Sequence, residues 1–323
     1  MDSPPVCHAG LRVRSGARRY GDHMPSGTRQ IKRRNHTVNK SYLRRFANDR
    51  GLLTRVTLPG EIRVSVSVDD ATVVKNFYVV QLDYGSESDE AEDLFSVVEG
   101  NAVAAICTLV DQRVWPIPGD VRTAIAEWVA LQYLRVPWVR QLMRELAEGF
   151  SGVGIPVTTG SGERVTLRMP SGDIDRLSGP GLHIEFIKRQ AAQVAKMLYE
   201  RDWVLTFYAR RSLATSDTPV VLRPVPGHPA GIGTGIANAG EINVPLDRRV
   251  ALSMGDTGFG DGRAAGVSKT ALYLNDATAK NARRYVFHHP GDDPLRGLTL
   301  PKPRKHELAS PESAAALVQD VLE

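Results

Sequence analysis

Two consecutive segments of the chain carry apolar residues at helical spacing, and this pattern constrains the fold more than any other feature of the sequence. Apolar residues recur three and four positions apart over 91–109 and again over 120–148. A stripe of this width must be buried against other elements, so the two segments predict long core helices. Pro137 lies inside the second segment and cannot donate a backbone hydrogen bond, which predicts a kink near Tyr133.

The remaining pattern indicates an α+β fold with two or three packed core helices and a short-stranded, mostly antiparallel sheet. Apolar and polar residues alternate over 52–58 and 62–68 around a Pro-Gly turn, which predicts a hairpin. A third helix is predicted over 182–201. The other predicted elements are a short helix around Tyr42, strands at 203–208, 219–222, 241–244 and 250–254, and a helix that Asn275 caps and that runs through Phe287.

We expect a flexible basic arm over residues 1–32 and a single globular domain over 33–290. Residues 1–35 hold eight Lys and Arg against two Asp, a net charge of +6, so the total of +5 leaves the remainder close to neutral. A Gly- and Pro-rich insertion is expected near 151–180, and a surface excursion with a C-terminal helix over 291–323. Because no apolar run reaches about 18 residues, we expect a cytoplasmic protein without a membrane span.

Three polar residues interrupt the apolar stripes of the two long helices. Glu99 shares a predicted helix face with Phe95 and Ala102, and Gln132 and Arg135 lie on the apolar face of the second segment. A buried carboxylate or guanidinium is costly unless it is paired or hydrogen-bonded. We therefore expect Glu99 and Arg135 to face each other, either as a structural ion pair or as a ligand-binding or catalytic pair.

Basic groups cluster near the start of the predicted domain. His36 stands just before the short helix around Tyr42, and Arg44 and Arg45 follow it. A histidine at such a position is typical of a turn or cap, and it is also the side chain best suited to acid–base chemistry near neutral pH. If Arg44 or Arg45 shares a cavity with Arg135, the site is cationic and its substrate carries phosphate or carboxylate.

A polar turn with the sequence TSDTP occupies residues 215–219, between two predicted strands. Such side chains commonly cap their own turn. In the alternative interpretation, Asp217 is a metal ligand or a general base at a strand end. Because functional groups are often presented where loops meet regular elements, we expect His36 and Asp217 to line the same pocket as Arg135.

Several short motifs follow one another along the chain: HTVNKSYLRRF at 36–46, the helix with Glu99, QYLRVP at 132–137, TSDTP at 215–219, VPL at 244–246, and Asn275. In this order and spacing, the stretch from about residue 33 to 288 resembles a bacterial family, the domain of unknown function numbered 4238. Members of that family usually have proline where this chain has Asn39. The resemblance implies no established activity, and it supports the choice of residues rather than a reaction.

These residues lead to two functional hypotheses. The first is an enzyme of the hydrolase or nuclease type that acts on an anionic substrate such as a phosphoester, with His36, Glu99 and Asp217 as catalytic residues. A divalent metal ion would suit its carboxylates. The second is a non-catalytic module that binds an anionic small molecule or nucleic acid. The oligomeric state is left open, and the predicted substrate-binding residues are Arg44, Arg45, Gln132, Arg135, Ser216 and Asn275.

Overall fold

The computed structural model of the chain describes residues 30–82, 85–150, 154–158, 164–168, 179–229, 233–256, 258 and 260–303. Six α-helices and several mostly antiparallel sheets in this part of the chain form an α+β fold, which confirms the predicted fold class. Most of the predicted basic arm, and the predicted C-terminal helix, lie outside the described residues.

The helices are α1 (Lys40–Leu43, continued by a 3₁₀ turn at Arg44–Phe46), α2 (Glu90–Ile106), α3 (Gly119–Leu134), α4 (Pro137–Phe150), α5 (Pro180–Tyr199) and α6 (Ser268–Asn281). The strands are β1 (Arg34–His36), β2 (Leu52–Thr57), β3 (Ile62–Ser67), β4 (Val73–Lys75), β5 (Val80–Gln81), β6 (Glu87–Ser88), β7 (Gly154–Thr158), β8 (Arg164–Arg168), β9 (Asp202–Tyr208), β10 (Thr215–Ser216), β11 (Val221–Pro224), β12 (Ala239–Pro245), β13 (Val250–Gly255), β14 (Gly262–Gly266) and β15 (Tyr285–His288).

Helix α3 is the centre of the main core, because it packs against both α2 and α5. Its second half is buried on nearly every side, as expected for a helix enclosed by other elements. The prediction of one kinked helix over 120–148 is wrong. The helix ends at Leu134 and α4 begins at Pro137, because a proline disfavours helical backbone in the preceding residue and suits the first position of a new helix.

The predicted hairpin over 52–58 and 62–68 is confirmed as β2 and β3, which pair antiparallel. They belong to a four-stranded sheet in the order β10-β15-β2-β3. Strand β15 was not predicted. The proposed helix from Asn275 to Phe287 is wrong, because Asn275 lies inside α6 and the chain has turned into β15 by Tyr285.

A five-stranded sheet in the order β11-β12-β13-β9-β14 covers the other side of the core. Its pairs are antiparallel except for β9 and β14, which run parallel. Trp203, Leu205, Leu252 and Met254 are fully buried on its inner face, as alternation along a strand requires. The predicted insertion contains the hairpin of β7 and β8.

Tyr42 ties α1 to both larger sheets. The buried phenol donates a hydrogen bond to the carbonyl of Pro245 (2.8 Å) and shares a second with the hydroxyl of Thr215 (2.6 Å). Its ring packs against Trp128, with 5.1 Å between ring centroids. The short predicted helix therefore serves as a joint between α3 and the ends of β10 and β12.

One helical stretch in the described part of the chain, Glu90–Asp111, has the length (22 residues) and mean hydropathy (1.5) of a membrane span. This stretch is α2 with the turn that follows it. The core helix of a globular fold passes the same test, and Phe95, Ala102 and Ile106 on its inner side are buried in the main core.

Candidate functional site

Arg135 occupies the centre of a buried polar cluster at the end of α3. Its guanidinium donates to the carboxylate of Glu99 on α2, to the backbone carbonyl of His36 on β1, and, through Nε, to the hydroxyl of Tyr78 (3.3 Å). The Tyr78 hydroxyl in turn donates to the carbonyl of Arg135 (2.8 Å). We call these four residues the Arg135 cluster. The predicted contact between Glu99 and Arg135 is confirmed.

Aromatic rings enclose the guanidinium of Arg135. Its central carbon lies 4.9 Å from the ring centroid of Phe95 and 5.6 Å from that of Tyr78, at distances where a cation is attracted to the ring. The residue is 1% exposed, whereas the Glu99 side chain is 24% exposed. Because ring faces and protein acceptors surround Arg135, it holds α2, α3 and β1 together and presents no open face to an anion.

His36 contributes its backbone to this cluster and carries its imidazole nearby. The ring hydrogen-bonds the backbone of Asp69, and Nε2 is buried without a partner in the described part of the chain. Burial lowers the pKa of His36, as do the charges of Lys40 and Arg135, while the Asp69 backbone and Glu99 act in the opposite direction. The imidazole is therefore neutral at pH 7.

Gln132, Arg44 and Arg45, which were predicted to bind substrate, each lie in a different environment. The side-chain oxygen of Gln132 accepts from the backbone N–H of Asn39 (3.1 Å), which links α3 to the cap of α1. Arg45 is paired with Asp111 and Asp247, and it does not reach the Arg135 cluster. Arg44 is exposed, and its charge acts on Asp69 on the His36 side of the fold.

Asp217 does not lie at the Arg135 cluster, contrary to the prediction that it lines the same pocket as Arg135. Its carboxylate accepts from the backbone N–H groups of Arg283, Arg284 and Tyr285, at 2.8 to 3.0 Å. Burial raises the pKa of Asp217, and these three N–H groups oppose that shift. Both carboxylate oxygens are committed to the turn before β15, which is the capping alternative. Ser216 likewise bonds the backbone of Thr218 within its own turn.

Asn275 is not in a position to bind substrate. It is fully buried in α6, where its amide accepts from the N–H of Ala214 (2.9 Å) and donates to the carbonyls of Ser212 (2.9 Å) and Pro294 (3.1 Å). Such an amide replaces missing backbone partners between segments that form no regular ladder. Its function in the fold is to join α6 to two loops.

The residues do not fit a resident divalent metal ion. In the described ranges no group of three or more His, Cys, Asp or Glu side chains is arranged to hold one. Glu99 is paired with Arg135, and the oxygens of Asp217 are taken by backbone donors. The carboxylates of the predicted site thus bind protein groups, which removes the basis for the metal hypothesis at these positions.

A histidine that sequence analysis did not single out extends the cluster to α5. His183 is fully buried, its Nε2 donates to the carbonyl of Leu134 (2.9 Å), and its Nδ1 accepts from Arg140 (3.3 Å). Burial is the main cause that lowers the pKa of His183 to about 4, so the ring is neutral at physiological pH. Arg140 also donates to the carbonyl of Phe77 (2.6 Å) and lies 3.6 Å from its ring centroid.

A group of three arginines lies at another place, around the turn that Asp217 holds. We define the arginine surface as Arg55, Arg283 and Arg284. The guanidinium carbons of Arg55 and Arg284 lie 4.7 and 5.0 Å from the ring centroid of Tyr285, and that of Arg283 lies 4.7 Å from Trp138. Arg55 and Arg284 form no ion pair with any described residue. The sequence Arg-Arg-Tyr at 283–285 was the feature that could have indicated this surface.

Comparison with known families gives a match over most of the chain. The family described as "Protein of unknown function (DUF4238)" matches residues 34–292. Comparisons with curated proteins and with solved structures found no match.

We predict that the Arg135 cluster is needed for stability. Arg135→Met should lower the free energy of unfolding by about 3 to 5 kcal/mol, because it leaves a buried carbonyl, a hydroxyl and a carboxylate without their donor. Glu99→Gln should have a smaller effect, since its side chain is partly hydrated. Urea denaturation measures both. A loss below about 1 kcal/mol for Arg135→Met would favour a ligand-binding role.

We predict an acid-sensitive contribution from His183. An unfolded histidine takes up a proton near pH 6.5, whereas folded His183 does so only near pH 4. The unfolded state thus binds more protons in this window, and stability falls as the pH drops from about 6.5 to about 4, by up to about 3 kcal/mol. Denaturation across this range should show a shallower pH dependence for His183→Gln. Equal slopes for His183→Gln and the wild-type protein would contradict the assignment.

Proposed function

This chain belongs to the DUF4238 family, and we propose that it binds a phosphate-bearing ligand at the arginine surface. The observation that carries the proposal is the concentration of guanidinium groups around one short turn, with two of them unpaired among the described residues. Arginine suits phosphate because its planar fork donates two parallel hydrogen bonds.

The shared position of two cations supports this proposal. Arg55 and Arg284 both lie within 5.0 Å of the ring centroid of Tyr285. The carboxylate of Asp217 lies beneath the turn, where its oxygens accept backbone N–H groups. An anion bound at the surface would be attracted by both guanidinium groups and would gain charge-assisted hydrogen bonds.

The aromatic side chains favour an organic phosphate over a bare ion. Tyr285 and Trp138 lie beside the guanidinium groups, and arginine planes and aromatic rings together offer stacking surfaces for a base or another flat group. This combination is typical of sites that contact the backbone of single-stranded nucleic acid. In this proposal Asp217 is a positioning residue, since it holds the backbone of 283–285 and does not touch the ligand.

Hydrolysis at His36 is a second candidate, favoured by one observation. The Nε2 atom of its neutral imidazole is buried without a partner in the described residues, beside Glu99. A neutral imidazole can accept a proton from water in phosphoester hydrolysis.

We expect the arginine surface to carry binding of a labelled single-stranded oligonucleotide. Arg55→Gln combined with Arg284→Gln should weaken binding about tenfold or more and lower the salt slope by about 2, since two phosphate contacts are lost. Fluorescence anisotropy over a range of salt concentrations measures both. The control Arg50→Gln removes one exposed charge elsewhere and should leave a nearly wild-type affinity. Unchanged binding by the double variant would refute the proposal.

The hydrolase candidate has its own test. If the chain hydrolyses bis(p-nitrophenyl) phosphate, His36→Gln should reduce the rate about a hundredfold or more, because the proton acceptor is lost. The melting temperature of the variant shows whether it folds. A folded His36→Gln protein that retains the wild-type rate would eliminate His36 as the catalytic group.

A further inference from the structure

A long apolar groove lies between α2 and α5, along the side of α3. Its volume is about 690 Å³. One wall is formed by Leu94, Phe95 and Val98 of α2, and Leu131 of α3 lies between the walls. The wall that belongs to α5 carries residues spaced four positions apart: Ile187, Ala191, Ala195 and Tyr199. Because residues at this spacing share a helix face, the groove follows α5 for about 18 Å.

The side chains along this groove are more exposed than their apolar character favours. Leu94 is 45% exposed and Tyr199 is 40% exposed. The most apolar window of the stretch Glu90–Asp111 has a mean hydropathy of 1.5, yet just 39% of it is buried inside the described fold. Contiguous apolar surface of this kind is typical of an interface. The groove is therefore suited to a partner that carries an apolar stripe.

The sequence supplies such a stripe at 311–323, which we call the C-terminal segment and which lies outside the described ranges. Ser310 and Pro311 have the residue types that favour the start of a helix. Apolar residues then recur three and four positions apart: Ala314, Leu317, Val318, Val321 and Leu322. A helix of about 13 residues is only marginally stable alone in water, so this predicted helix needs a surface to pack against.

The groove and the C-terminal segment match in length and in polarity. As a helix, the segment would span about 20 Å, close to the length over which the groove follows α5. Lys188, Lys196 and Glu127 are the charged described residues that line the groove, and all three are exposed. The two lysines pair with glutamates of their own helix. Because such exposed pairs contribute little, apolar contact would provide the attraction.

The chain between the described fold and the C-terminal segment is long compared with the domain. Pro303 is the last described residue, and the segment begins eight positions later, at Pro311. An extended chain covers about 26 to 29 Å over this distance, whereas a domain of about 260 residues has a radius of gyration of about 18 Å. The segment can therefore reach a face of its own domain that lies well away from Pro303.

We infer that the C-terminal segment packs as a helix into the groove between α2 and α5 of its own chain. Its apolar face covers Leu94 and Val98 on one side and Ile187 on the other. Its polar face, with Gln319 and Glu323, points to water. This contact needs neither the arginine surface nor a ligand bound there.

The test is hydrogen–deuterium exchange of the full chain, followed by mass spectrometry. The amides of 314–322 should exchange at least about tenfold more slowly than those of an unstructured chain, because packed helical amides are protected. Val318→Asp combined with Leu322→Asp should remove this protection, since it places two charges in the apolar stripe. Leu94→Glu combined with Ala192→Glu should remove it from the groove side, where both residues are exposed.

Matched controls place the same charges elsewhere. Ser313→Asp combined with Gln319→Asp alters the polar face of the segment, and Asn101→Glu combined with Gln193→Glu alters exposed positions of α2 and α5 outside the groove. Both controls should keep the wild-type protection, and the amides of α3 show in every protein whether the core is folded. The inference is overturned if 314–322 exchange at the unstructured rate in the wild type, or if either test variant keeps full protection. It is also overturned if the protection falls on dilution, which would assign the groove to the segment of another copy.

Discussion

The burial of one guanidinium group governs the centre of this fold. Arg135 cannot lose its proton, so every element packed around it must supply an acceptor or a ring face. Glu99 supplies a carboxylate from α2, His36 a carbonyl from β1, and Tyr78 a hydroxyl. One side chain thus contacts α2, α3 and β1 at the same time.

Other buried polar side chains also form hydrogen bonds with protein groups around them. Arg140 donates a hydrogen bond to the backbone carbonyl of Phe77, and His183 donates one to the carbonyl of Leu134 at the end of α3. Asp217 and Asn275 likewise form hydrogen bonds near β15 and α6 with backbone groups that have no partner in a neighbouring strand. Most of the buried polar side chains in the described part of the chain therefore form hydrogen bonds with backbone groups.

Periodicity predicted the long helices, the β2–β3 hairpin and the fold class, because apolar stripes report burial directly. It did not predict β14 or β15. Strand β14 is Gly262–Gly266, whose glycines and alanines carry no apolar alternation, and β15 directly follows a helical pattern. Pro137 was correctly identified as a disturbance, but its consequence was a new helix instead of a kink.

The candidate site was predictable in part. The spacing of apolar residues placed Glu99 and Arg135 on buried helix faces, and because a buried charge needs a partner, their contact could be predicted. The partners of Asp217 and Asn275 are backbone groups about 20 to 70 positions away, and no local pattern encodes them. Arg55 and Arg284 meet at Tyr285 only through the pairing of β2 with β15. The register in which distant strands pair therefore determines which arginines lie together.

We propose that the Arg135 cluster stabilises the fold and that anionic ligands bind at the arginine surface. Chemical-shift mapping on deuterated, ¹⁵N-labelled protein during titration with a single-stranded oligonucleotide distinguishes these two places. We expect the largest amide shifts at 283–285 and around Arg55, with small shifts at His36, Glu99 and Arg135. Shifts centred on His36 and Glu99 would contradict this proposal and would return the functional site to the Arg135 cluster.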